Sequence, residues 1–144
     1  MKISLSVLAI GLLIGVTSDS ARAQKCLEYG PLVTLSGMLE SRAFAGPPNY
    51  ESVKRGDRKE TAIILKLDVP ACTTGNDPVN ESFTDLREMQ LVVYSDDKKI
   101  NDDEWKTVHS RMGRRFTVTG TLFGGNTGHH RTKVLIHVSQ IRTP

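Results

Sequence analysis

Five stretches of this chain alternate apolar with polar residues, and a period of two constrains the fold more than any other feature, because it belongs to strands with one buried side. In the first, Val33, Leu35, Gly37 and Leu39 share a face while Thr34, Ser36, Met38 and Glu40 share the other. The second runs from Thr61 to Val69, with Ile63, Leu65, Leu67 and Val69 in phase and Lys66 and Asp68 opposed. Pro70 is expected to end it, since proline cannot donate to a ladder. A polar stretch from Thr73 to Asp85 leads to a third strand, in which Met89, Leu91 and Val93 alternate with Gln90, Val92 and Tyr94. The fourth carries Phe116, Val118, Gly120 and Leu122 against Thr117, Thr119 and Thr121, and the fifth carries Val134, Ile136 and Val138. Gly120 inside a strand predicts a bulge or sharp bend.

Between the third and fourth strands the period changes to that of a helix. Asn101 is placed as an N-cap with Glu104 three residues on, Asp102 and Asp103 suit the positive end of the dipole, and Ile100 with Trp105 forms a staple. Trp105, Val108 and Met112 make a core-facing stripe, and Gly113 closes the segment. The order strand, strand, strand, helix, strand, strand is that of an OB-fold, a five-stranded Greek-key barrel. An SH3-like barrel or an open meander has a compatible periodicity.

Residues 1–23 have the parts of a secretory signal peptide: Lys2, an apolar run from Ile3 to Val16, and Ala21-Arg22-Ala23 as a small-x-small cleavage site. The run is shorter than the roughly 20 residues that span a bilayer, so the mature chain has no expected membrane span. Residues 24–144 then form a single domain in an exported, periplasmic protein. An even count of two cysteines in an oxidising compartment predicts a Cys26–Cys72 disulfide. In an antiparallel hairpin the start of the first strand lies beside the end of the second, which places the two residues within reach of each other. Removing Lys2, Arg22 and Asp19 from the 19 basic and 16 acidic side chains leaves a net charge of +2. That balance argues against a dedicated nucleic-acid binder.

Two connections carry unusual residues. Ala43 to Glu60, "AFAGPPNYESVKRGDRKE", is long for a hairpin loop, and Pro47-Pro48 is expected to hold it extended and present Tyr50. "GGNTGHHRTKV", residues 124 to 134, places glycines and an adjacent histidine pair before the last strand. In an OB-fold these loops, joining strands one to two and four to five, flank the ligand face. Tyr50, Arg55 and Asp57 are therefore expected near His129, His130 and Arg131, with tyrosine as a stacking surface, arginine for charge-assisted hydrogen bonds and histidine as a donor.

A zinc site wants three or four ligands at recognisable spacing, and neighbouring residues of an extended chain point apart, so His129 and His130 supply one ligand at most. Histidine-dependent metal binding is the alternative reading. No phosphate loop, nucleophile elbow or paired-carboxylate signature appears, so no enzyme and no cofactor are expected. A blander reading gives Gly128 a positive φ angle and a histidine the job of capping a backbone carbonyl. The reading preferred here is a non-enzymatic binding module for a polar or anionic partner: a periplasmic protein, a glycan or cell-wall material.

"FAGPPNYES" followed by Gly56-Asp57, then "LDVPAC", then "VTGTLFGGNTGHHRTKVLI" resemble the bacterial family called domain of unknown function 4431, found in short exported proteins. The resemblance implies a small OB-like exported domain without an established activity. Carried over position by position, its characteristic sites are Pro48, Asn49, Tyr50, Gly56 and Asp57, then Gly128, His129, His130 and Thr132. Asn126 and Arg131 stand where further histidine is expected, which weakens a metal site and suits an anionic group.

Overall fold

The computed structural model describes residues 25–93 and 102–144. The leader, Tyr94, and the cap and staple positions Ile100 and Asn101 lie outside the described residues. The elements run β1 (Leu27–Glu28), β2 (Leu32–Ala45), β3 (Lys59–Thr74), β4 (Phe83–Val92), α1 (Asp102–Ser110), β5 (Arg115–Gly124) and β6 (Val134–Arg142). Their order across the sheet is β1-β3-β2-β5-β6-β4, and β3 also pairs with β4. That second pairing closes β3, β2, β5, β6 and β4 into a ring, so the sheet is a small barrel and not an open meander. β4 and β6 run parallel while the other pairings of the ring are antiparallel. This is the OB-like arrangement, with the five long strands in the order expected.

Closure gives the alternating faces one interior. Leu39, Leu65, Met89, Phe116, Val118, Ile136 and Val138 are at most 2% exposed, and Val108 of α1 joins them with Trp105 and Met112 packed alongside. The helix ends at Ser110, and Gly113, with φ 81°, turns the chain back. Its N–H donates to Leu39 O at 2.8 Å while Leu39 N–H donates to Arg114 O at 3.0 Å, docking the turn on β2. Gly120 sits at a register shift between β5 and β6, the bulge expected. A Cβ there would stand 2.2 Å from His137 O, so the close approach requires glycine.

The barrel departs from expectation in three places. Pro70 does not end the second long strand, because β3 runs on to Thr74. The proline falls in the register shift between Lys66 and Ala71, where no ladder partner asks for its N–H. The same irregularity takes Val69 out of phase and leaves it 61% exposed. The polar stretch 73–85 is shorter as a loop than expected, since β4 starts at Phe83. The disulfide is present, with Cα atoms 4.7 Å apart, yet the reason is not the antiparallel geometry inferred from the hairpin. Leu27 and Glu28 form the unforeseen strand β1, parallel to β3 at Thr73 and Thr74, and the bridge sits one residue before both segments.

Two apolar residues are buried outside the interior. Ile64 and Leu135, both 0% exposed, alternate with core neighbours and therefore face outward, in register with Gln90 between them. The loop before β6 is fastened to Gln90, which lies between them.

Candidate functional site

The β2–β3 loop is built around one carboxylate. Asp57, 5% exposed, accepts hydrogen bonds from Asn49 N at 2.9 Å, Asn49 Nδ2 at 3.1 Å, Glu51 N at 2.8 Å and Ser52 N at 2.7 Å. The N–H groups of Ser52 and Asn49 outweigh the opposing effect of burial and hold the Asp57 carboxyl below its ordinary range. The loop turns where an extended polyproline segment was expected: the Pro47–Pro48 peptide is cis, and Tyr50 N–H donates to Gly46 O at 2.9 Å. Val53–Arg55 form a single 3-10 turn ended by Gly56 at φ 106°. The result is a compact lobe that presents Tyr50, itself at φ 58°.

The β5–β6 loop folds back over the outer face of the sheet. Gln90 of β4 fastens it with both ends of its side-chain amide, accepting from Arg131 N at 2.6 Å and donating to His129 O at 3.2 Å. Thr132 Oγ1 accepts from Gln90 N at 2.9 Å and donates to Val134 O. Since Gln90 lies between Ile64 and Leu135, these bonds hold the segment 129–132 beside that apolar pair. Inside the loop, His130 N–H donates to Thr127 O at 3.0 Å and His130 Nδ1 accepts from Asn126 N at 2.9 Å. His130 therefore caps a backbone N–H, not the carbonyl expected of a capping histidine. Burial, with the neighbouring His129 in support, lowers its pKa, which preserves the neutral ring that such an acceptor must have.

The two loops meet beside the Phe44–Glu60 pair of β2 and β3. Tyr50 Oη lies 3.2 Å from His129 Nε2, and His129 Nδ1 lies 3.0 Å from Glu60 Oε2. The same carboxylate oxygen accepts from Arg131 Nη2 at 2.8 Å. The guanidinium carbon stands 5.1 Å from the Phe44 ring centre and 5.5 Å from that of Tyr50. Burial pushes the Glu60 carboxyl up, but the hydrogen bonds and charges of His129 and Arg131 together exceed it and the net displacement is downward. An ionised carboxylate only accepts, so His129 Nδ1 carries the proton; in the neutral ring Nε2 is then an acceptor and the Tyr50 hydroxyl its donor. Two glycines make room for the cluster. A Cβ on Gly46 would stand 2.6 Å from the Glu60 side chain, and one on Gly128 2.8 Å from the Tyr50 ring. Gly128 is thus required by space, and not by the positive φ proposed for it, since Gly30, Gly56 and Gly113 are the glycines with positive φ among the described residues.

Of the six residues singled out from sequence, Tyr50, His129 and Arg131 converge. Arg131 is buried to 10% exposure of its side chain, while the His129 side chain is 60% exposed. Asp57 is the centre of its own loop. Arg55 is paired with Glu51 at 2.7 Å on the exposed surface, and His130 packs edge-on to Phe123 at 5.5 Å. None of these three enters the cluster. Glu60, Phe44 and Gln90 belong to it and were not singled out. Glu60 and Phe44 stood at the two ends of the quoted loop, and their pairing across β2 and β3, Phe44 opposite Glu60, is what the strand register adds.

Among the described residues no three histidine, cysteine, aspartate or glutamate side chains gather in a manner that would hold a metal ion. No described helix is long and apolar enough to cross a membrane. No curated protein matches the chain significantly. Residues 88–142, which take in α1, β5, the histidine loop and β6, match the family model described as a domain of unknown function, DUF4431.

Proposed function

We propose that this chain is an exported, non-enzymatic binding module whose ligand surface is the cluster of Tyr50, His129, Glu60 and Arg131. The observation that carries the reading is the 3.2 Å contact between Tyr50 and His129, residues 79 apart in sequence, set on two loops that are each internally fastened. Loops so fixed present polar groups with little ordering left to lose on binding. The exposed groups are a histidine ring and a tyrosine edge, beside a carboxylate and a guanidinium whose charges answer each other. That balance favours a polar, hydroxyl-rich partner such as a glycan or cell-wall material over a strongly anionic one. Export is supported by the Cys26–Cys72 bridge, since such crosslinks persist in oxidising compartments.

The test is binding to an array of glycans and cell-wall fragments by the wild type, Tyr50→Ala and His129→Ala, with Arg55→Ala as the control outside the cluster. The first two variants should lose the ligand and the third keep it. Equal binding by all four proteins would remove the cluster from the site.

A further inference from the structure

The turn between α1 and β5 carries "RMGRR", and its arginines line a groove of about 690 Å³ together with Ser110, Met112, Thr143 and Pro144. We propose that this groove is a second binding site, for a phosphate monoester. It lies at the opposite end of β5 from the histidine loop, and a strand of ten residues separates the two by roughly 30 Å.

Three observations support it. Arg111 and Arg114 have exposed side chains that make no hydrogen bond or ion pair within the described residues, whereas the arginines of the barrel wall, Arg42 and Arg131, are each matched to glutamate. Arg115 meets Asp68 at 3.0 Å, which leaves Arg111 and Arg114 as the guanidinium groups of the lining without an acidic side-chain partner among the described residues. Such a pair suits a phosphate monoester, since guanidinium forks match its oxygens two at a time. Finally, the backbone bearing these side chains is already fixed. Arg111 N–H donates to Val108 O, Arg114 N–H to Arg111 O, and the turn is docked on Leu39 from both sides. The volume accepts a phosphate and the group esterified to it.

The phosphate could come from a soluble ester or from a lipid headgroup, and two arms of one experiment separate them. In the first, glycerol phosphate is titrated into ¹⁵N-labelled protein against sodium chloride and sodium sulfate at matched ionic strength. In the second, the protein is floated with vesicles of phosphatidylcholine with and without phosphatidic acid. Both use the wild type and Arg111→Gln/Arg114→Gln, whose sites are exposed and leave the barrel intact. Saturable shifts at residues 110–115 and 143, with a Kd raised at least about tenfold in the variant, support the site and a soluble ligand. Flotation that needs phosphatidic acid and fails in the variant supports it with a membrane source. Binding in neither arm, equal effects from chloride or sulfate, or equal binding by the variant would overturn it.

Discussion

Gly128→Ala tests whether the two loops press on each other as the cluster requires. The new Cβ would lie 2.8 Å from Cε1 and Cζ of Tyr50, well inside the 3.5–4.0 Å or so at which carbon atoms rest. Overpacking of this kind costs about 1–3 kcal/mol where nothing yields. Here the tyrosine ring can yield, at the expense of its hydrogen bond to His129, about 0.5–1.5 kcal/mol, and its contact with Arg131, about 0.5–1 kcal/mol. The cheaper escape therefore costs about 1–2.5 kcal/mol. Against it stands a gain of about 0.4–1 kcal/mol, because alanine restricts the unfolded chain and Gly128 has an ordinary backbone angle. The net loss should be about 1 kcal/mol in the wild type. In a Tyr50→Ala background the clash is gone and only the gain remains, so the same substitution should stabilise. Urea denaturation of the four proteins of this cycle measures the coupling, expected at about 1–2.5 kcal/mol. Effects of Gly128→Ala that agree between backgrounds within about 0.5 kcal/mol would refute the contact.

Replacing Cys26 and Cys72 with serine releases a crosslink between positions 46 apart, worth about 4 kcal/mol of unfolded-chain entropy. Since β1 holds β3 by two residue pairs, it should fray in the variant and return part of that loss. A denaturation free energy lower by about 2–4 kcal/mol, with exchange protection lost first at Leu27 and Glu28, is the expected result; unchanged stability would dismiss the bridge as a contributor. The carboxyls of Asp57 and Glu60 are both held below their ordinary values, 3.8 and 4.5. A depressed carboxyl contributes fully above its unfolded value and loses that contribution as pH falls through the folded one, so melting temperature should drop below about pH 4.5. The drop should be shallower in Asp57→Asn, and parallel curves would show that the four N–H donors around Asp57 do not depend on its charge.

The interior was legible because a closed sheet buries one residue in two, and the apolar phase of five strands identifies that face directly. Gly120 announced its bulge for the same reason: a missing side chain in a strand marks a place where two backbones approach. Pro70 misled because a proline rules out a ladder bond, not a strand, and a bulge supplies a position at which no bond is needed. β1 left no pattern at all. Two residues are too few to show a period, and its place is set by the crosslink beside it.

The outer face had a signal of a different kind. Ile63-Ile64-Leu65 and Val134-Leu135-Ile136 are unbroken apolar triplets, and a strand can bury three consecutive residues only when both its faces are covered. Register places the middle residue of each triplet beside Gln90, so the two triplets mark one covered patch, and the glycine-rich loop is the segment near enough to cover it. That loop is consequently a piece of the wall. Its backbone is tied to Gln90, its second histidine to Asn126, and its arginine to Glu60. Spacing could not assign these roles, since two adjacent histidines read alike in sequence while one packs edge-on to the half-buried Phe123 ring and the other faces the solvent. His129 is the member left 60% exposed, with one ring nitrogen anchored to Glu60 and the other turned toward Tyr50. The six candidate residues thus narrow to Tyr50, His129 and Arg131, and of these His129 is the exposed imidazole whose orientation is set between Tyr50 and Glu60.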